Sequence, residues 1–181
     1  MEFSVDTELH PRFPVPFKLR PDLGVTGDRP SRWITRARPK IDRIACPWLI
    51  QRFVDPQAQF LYVPTAQVFS EAKKLEAVPY DIEGAPITHQ WERCSFDALI
   101  AAFELHDPAL DMLATIVRGA DTSRPALAPQ CAGLLAISLG MARLHADDHA
   151  MLQATLPVYD ALYAWCREAQ GETHTWKAHA A

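Results

Sequence analysis

The helix signals of the second half constrain this chain more than any other feature. Ser95, with Asp97 two residues on, predicts the start of a helix over 96–105: a hydroxyl cap and a first-turn carboxylate both meet exposed backbone N–H groups. Asp107 followed by Pro108 predicts a second start, with the acid capping and the proline at the first helical position, and Gly119 predicts its end. DTSRPALAP, residues 121–129, reads as a loop. A helix then runs to about residue 144, with Gly133, Ala136 and Gly140 forming a small-residue face suited to close packing. From about 148 to 170, Leu152, Leu156, Tyr159, Leu162, Tyr163 and Cys166 recur at helical spacing, with a kink expected at Pro157. Strand-like runs fall only in the first half, at 33–35, 60–63 and 78–82, with helices predicted over 42–54 and 65–77 between them. The class that follows is α+β: mainly helical, with a small sheet in the N-terminal half packed against four to six helices.

At 181 residues and 49% hydrophobic, the chain is long enough for one domain with a real core. Five prolines within residues 1–30 predict an extended arm, anchored through Phe3, Phe13, Val15, Phe17 and Leu19. Residues 31–170 read as the single domain and 171–181 as a loose tail. The net charge of −4 lacks the basic footprint of a nucleic-acid binder. The local run Arg32, Arg36, Arg38, Lys40 and Arg43 reads as a solvated strand or loop edge. The amino terminus has no basic or apolar signal region, no apolar run reaches the length of a membrane span, and the four cysteines form no C-x-x-C pair. The expectation is a soluble cytoplasmic protein with reduced thiols.

Four polar clusters carry the chemistry on offer. In DRIACPWLIQRF, residues 42–53, Asp42 as a cap places Cys46 one turn later on the same face. Pro47 leaves a second reading open, in which the helix starts at the proline. Both put Cys46 near a helix amino terminus, a position that lowers a thiol pKa and attracts anions. In THQWERCSFD, residues 88–97, His89, Glu92, Cys94 and Asp97 offer imidazole, carboxylate and thiolate donors to a transition metal. RGADTSR, residues 118–124, reads as a solvated turn or as a further ligand, Asp121, with an arginine pair for an oxyanion. HADDH, residues 145–149, reads as a helix junction. Nucleophile elbow, Walker loop, dinucleotide fingerprint and H-E-x-x-H are all missing from the sequence.

The runs WITRARPKIDRIACPWLIQRFVDPQAQFLYV (33–63), YDIEGAPITHQWERCSFDALI (80–100), DPALDMLATIVRGADT (107–122) and YDALYAWCR (159–167) together resemble the chromate-resistance family, in the carboxy-terminal domain of ChrB-type proteins. The resemblance implies a bacterial cytoplasmic protein tied to chromate resistance. Its full-length regulators carry an additional amino-terminal DNA-binding domain, for which residues 1–30 are too short, so DNA is not an expected partner. The resemblance supplies no catalytic mechanism. The residues themselves suggest a pocket of Asp42, Cys46, His89, Glu92 and Asp121 for a transition metal ion of open identity. Arg43, Arg93 and Arg118 are candidates to hold chromate or a related oxyanion beside it. The alternative is a small metal- or thiol-dependent redox enzyme working through Cys46 and Cys94. The small-residue face and the arm also suit homodimerisation.

Overall fold

The computed structural model describes residues 18–173. The expected anchors Phe3, Phe13, Val15 and Phe17, and tail residues 174–181, lie outside the described residues. Three parallel strands, β1 (Arg32–Arg36), β2 (Gln59–Val63) and β3 (Val78–Pro79), lie in the order β2-β1-β3. Parallel neighbours require crossover connections. Helix α1 (Asp42–Phe53) supplies the first and α2 (Val68–Leu75), entered through a 3₁₀ turn at Thr65–Gln67, the second. Alternate strand residues face opposite layers. Trp33 and Phe60 join the large core with α1, whereas Ile34 packs with Val68 and Ala72 of α2. The sheet is thus covered on both faces, the usual condition for parallel strands. The remaining helices, α3 (Ser95–Ala102), α4 (Pro108–Asp121), α5 (Cys131–Leu144) and α6 (Asp148–Ala164, continued by a π-helical turn at Trp165–Ala169), complete the α1 side. The α+β class read from the sequence is borne out.

Helix α1 is the centre of the molecule. Seven consecutive residues, Ile44 to Ile50, are buried, so no polar face remains. Trp48 sits among Phe53, Phe96, Tyr159 and Tyr163. Its indole N–H donates to Asp160 of α6 at 2.7 Å, and Arg52 grips the same carboxylate with two bonds of 2.9 Å. Pro47 lies inside the helix, which settles the two readings left open above. A proline there strips the Arg43 carbonyl of its helical donor. The hydroxyls of Tyr62 and Tyr80 replace it, each donating to Arg43 O at 3.3 Å. Replacing one tyrosine by phenylalanine is expected to cost under about 1 kcal/mol, because its partner remains. The Tyr62→Phe/Tyr80→Phe double variant strands a buried carbonyl and is expected to lose about 1–3 kcal/mol beyond the sum, read by urea denaturation as a double-mutant cycle.

Several local expectations are corrected. Cys94, not Ser95, is the cap residue of α3, and its backbone N–H is taken by the Asp97 carboxylate at 3.0 Å. The third strand is only two residues long, because Asp81 turns the chain with φ +51°. Gly119 does not end α4. A Cβ on it would lie 2.3 Å from the Cys131 sulfur and 2.9 Å from the Arg124 carbonyl, so the glycine allows α5 to approach while the helix continues to Asp121. Within the chain the close approach is thus served by Gly119, whereas a Cβ at Gly133 or Gly140 would meet nothing within 4 Å among the described residues. The 145–149 segment is a helix junction as read: Asp147 caps α6 by accepting the Ala150 N–H at 2.7 Å.

Candidate functional site

In a parallel sheet, ligands collect beyond the carboxyl ends of the strands, where the strand order reverses. Here the reversal is at β1, which is followed by β2 on one side and flanked by β3 on the other. Arg36 ends β1, and Asp81 lies two residues past β3. The Arg36 guanidinium donates from Nη2 to the Asp81 carbonyl at 2.8 Å and to its carboxylate at 3.0 Å. Ser95 Oγ donates to Asp81 Oδ1 at 2.7 Å, and Arg43 Nε lies 3.4 Å from Oδ2. Burial raises the Asp81 carboxyl, but these donors and His89 outweigh it and hold it below its ordinary value.

Asp42, the first residue of α1, is fully buried. It caps a neighbouring helix: Oδ2 accepts the N–H of Ser95, the first residue of α3, at 2.5 Å. Its other oxygen, Oδ1, is buried without a hydrogen-bond partner. Burial drives the Asp42 carboxyl from 3.8 up to about 6, with His89 pulling it down and Asp121 and Asp81 adding to the rise.

His89 arrives from the loop after β3. Its Nε2 lies 3.1 Å from Asp121 Oδ2, 3.3 Å from Asp42 Oδ2 and 3.3 Å from Asp81 Oδ1. One ring nitrogen carries one proton, so it cannot satisfy three carboxylates at once. Hydrogen bonding to the carboxylates of Asp121, Asp42 and Asp81, in that order, pushes the imidazole up to about 12. Asp81 has two arginines and a serine to balance it, whereas among the described residues Asp42 and Asp121 share no cation but His89. Donor atoms of Asp42, His89 and Asp121 lie within 4.8 Å of one another, spacing that suits one metal ion. A cleft of about 370 Å³ opens beside them, with Arg36, Asp81, Thr88 and His89 in its walls.

The other sequence candidates do not join this group. Glu92 is 86% exposed and pairs with Arg124 at 3.1 Å. Arg118 of α4 grips Asp97 with bonds of 2.9 and 3.0 Å, and it lines a different cleft together with Arg93. Arg43 spends one Nη1 on the carbonyls of Arg36 and Ala37, both at 3.1 Å. Cys46 does lie one turn beyond Asp42, but on the core side, packed within the main hydrophobic cluster. Burial, then the Asp42 charge, pushes its thiol well up rather than down, and Cys94 rises for the same two reasons. All four cysteines are buried and free. Native protein at pH 7.5 is therefore expected to react with a thiol-specific chromogenic reagent only slowly, and with all four thiols once unfolded. A fast-reacting thiol in the native protein would contradict this.

Arg36 and Asp81 are the participants that sequence reasoning missed. Arg36 stood in a basic run that read as a solvated edge, and Asp81 stood inside an expected strand. Their signal was position: Arg36 is the last residue of one parallel strand and Asp81 lies two residues past the end of another.

Residues 33–166 match the sequence model of a family described as ChrB, C-terminal domain. The chain belongs to that family. Over 150 residues it is 33% identical to Protein ChrB of Cupriavidus metallidurans, an alignment covering 77% of this chain and 45% of the relative. The chain thus spans less than half the length of the curated relative it matches. No solved structure matches. The resemblance to chromate-resistance proteins of the ChrB type is borne out, and the ChrB C-terminal domain segment contains Asp42, Asp81, His89 and Asp121, along with Arg36. Among the described residues no helix is long and apolar enough to cross a membrane.

Proposed function

We propose that this ChrB-type domain binds a divalent first-row transition metal ion through Asp42, His89 and Asp121, and presents it to an oxyanion held at Arg36 in the adjoining cleft. The observation that carries the reading is the buried Asp42 carboxylate with an unspent oxygen, set beside two further donors, His89 and Asp121, of which His89 is the one cation that Asp42 and Asp121 share among the described residues. Oxygen and nitrogen donors without sulfur favour ions such as Mn²⁺, Fe²⁺ or Zn²⁺ over Cu⁺. Two carboxylates and a neutral imidazole match the charge of a divalent ion, and binding releases the His89 proton. Asp81 acts on the ligand rather than on the ion, since its own charge is balanced by Arg36 and Arg43. An anion alone is repelled by three carboxylates, so the ion is what makes the cleft hospitable to chromate or a related dianion. The Arg36 guanidinium has Nη1 free of partners among the described residues and lines that cleft. A thiol-dependent redox reaction has less support, because Cys46 and Cys94 are buried and protonated.

The test is a chromate titration by calorimetry, with and without saturating Zn²⁺ or Mn²⁺. Binding is expected only in the metal-loaded protein, with Arg36→Ala weakening it at least about tenfold while metal affinity changes little. Equal chromate binding with and without metal, or an unaffected Arg36→Ala variant, would overturn the oxyanion part of the reading.

A further inference from the structure

The residue that precedes Asp42 has an unusual backbone. Ile41 has φ +37° and ψ −97°, a sign of φ that β-branched residues rarely adopt. Such outliers persist only where the surroundings over-determine them. Here the Ile41 N–H donates to Ser138 Oγ of α5 at 3.0 Å, and its carbonyl accepts the hydroxyl of Tyr159 of α6 at 3.1 Å. Both partners are buried, and so is the isoleucine side chain. Three residues earlier Arg38, also at positive φ, donates its N–H to Asp148 Oδ2 at 2.9 Å. Its guanidinium reaches the carbonyls of His145 and Ala146 at 3.0 and 2.9 Å. The segment joining β1 to α1 is therefore pinned at both ends to α5 and α6, two helices that supply no donor to the Asp42, His89 and Asp121 group.

We infer that Ser138 and Tyr159 are positioning residues for the metal site, acting through Ile41. The Ile41 carbonyl also accepts the Ile44 and Ala45 N–H groups of the first turn at 3.0 and 2.7 Å, so holding the peptides on either side of Ile41 with the two hydroxyls fixes the direction in which that turn leaves it. That direction keeps the Asp42 carboxylate inside the protein with one oxygen on Ser95 and the other unspent. Without either hydroxyl, Ile41 relaxes toward an ordinary conformation and the first turn of α1 rotates. Ligand-orienting partners of this kind typically change metal affinity by about 10- to 100-fold. The inference rests on the metal-binding reading for its consequence and on the Ile41 backbone for its cause, and the two are measured separately.

The experiment compares wild type with Ser138→Ala, Tyr159→Phe, Ser138→Thr and Thr155→Val. Thr155 is a buried hydroxyl of α6 that bonds Met151 O and does not touch Ile41, so it controls for general loss of a buried hydrogen bond. Co²⁺ titration followed by visible absorption reads affinity and coordination. The Ile41 ¹³Cα and ¹³Cβ chemical shifts of metal-free protein read its backbone. The expected result is a Co²⁺ affinity about tenfold weaker with an altered spectrum in Ser138→Ala and Tyr159→Phe, recovery in Ser138→Thr, and no change in Thr155→Val. The Ile41 shifts should lose their positive-φ signature in the first two variants alone. Unchanged Co²⁺ binding in both, or a loss equal to that of Thr155→Val, would overturn the inference. If wild type binds no Co²⁺, the metal reading fails, and unchanged Ile41 shifts in Ser138→Ala and Tyr159→Phe overturn the positioning role by themselves.

Discussion

Asp42→Asn should make the metal-free protein more stable while abolishing its metal binding. The buried carboxyl has its folded pKa raised from 3.8 to about 6, so the folded chain holds that proton more tightly than the unfolded chain. The stability it contributes is fully present below about pH 4 and is lost as pH rises through about 6. At pH 7.5 the ionised group is a standing penalty. That rise corresponds to about 3 kcal/mol, from which the imperfect bonding of an asparagine amide must be subtracted. The expected gain is about 1–3 kcal/mol, or a Tm about 2–12 °C higher for a chain of this size. His89 works in the same direction: its pKa is raised from 6.5 to about 12, so its contribution is fully present below about pH 6.5 and is lost progressively as pH rises through about 12. It is still largely present at pH 7.5, where the comparison is made. With metal at about one thousand times Kd the order should reverse, because wild type alone gains about 4.1 kcal/mol from the bound ion. Thermal melts of both proteins, with chelator and with metal, test this. A variant less stable than wild type without metal would show that Asp42 serves the fold rather than a ligand.

Gly119→Ala should destabilise the fold and loosen the site together. The new methyl would sit 2.3 Å from a sulfur and 2.9 Å from a backbone carbonyl, and only the sulfur can move at modest cost. Overpacking of this kind costs about 3 kcal/mol, against which alanine recovers about 1 kcal/mol of helix propensity. The net loss is about 2 kcal/mol, a Tm about 4–8 °C lower. Asp121 lies two residues on, so displacement of the α4 end also moves a donor. Adding Cys131→Ala removes the sulfur but leaves the Arg124 carbonyl in place, so the double variant should recover part of the stability and not all. A Gly119→Ala protein as stable as wild type would mean that α5 does not approach α4 as described.

The helices were legible from the sequence because their signals are local. Asp107 with Pro108, Asp147, and the apolar spacing of α6 each act within one or two turns, and each stands where it was read. Gly119 was misread because a glycine at a helix end and a glycine beneath a crossing helix look alike until the partner, Cys131, is known. Asp42 and His89 stand out for their chemistry, yet nothing local to Asp42 indicates that it caps α3 rather than α1. Asp81 was lost because Val78 to Ile82 alternates like a strand, and its left-handed turn is imposed by partners from distant segments, Arg36, Arg43 and Ser95. Cys46 was placed on the right turn of the right helix. What spacing alone could not reveal is that α1 is buried on every side, so that a thiol one turn from the site faces the core.

The central claim is that Asp42, His89 and Asp121 hold a metal ion. It is tested most directly by elemental analysis of untagged protein purified without chelator, for wild type and for His89→Ala and Asp121→Asn. About one equivalent of a divalent transition metal in wild type, absent from both variants, is the predicted result. Wild type without metal that also takes none up on incubation with Mn²⁺, Fe²⁺ or Zn²⁺, or variants that retain a full equivalent, would contradict it.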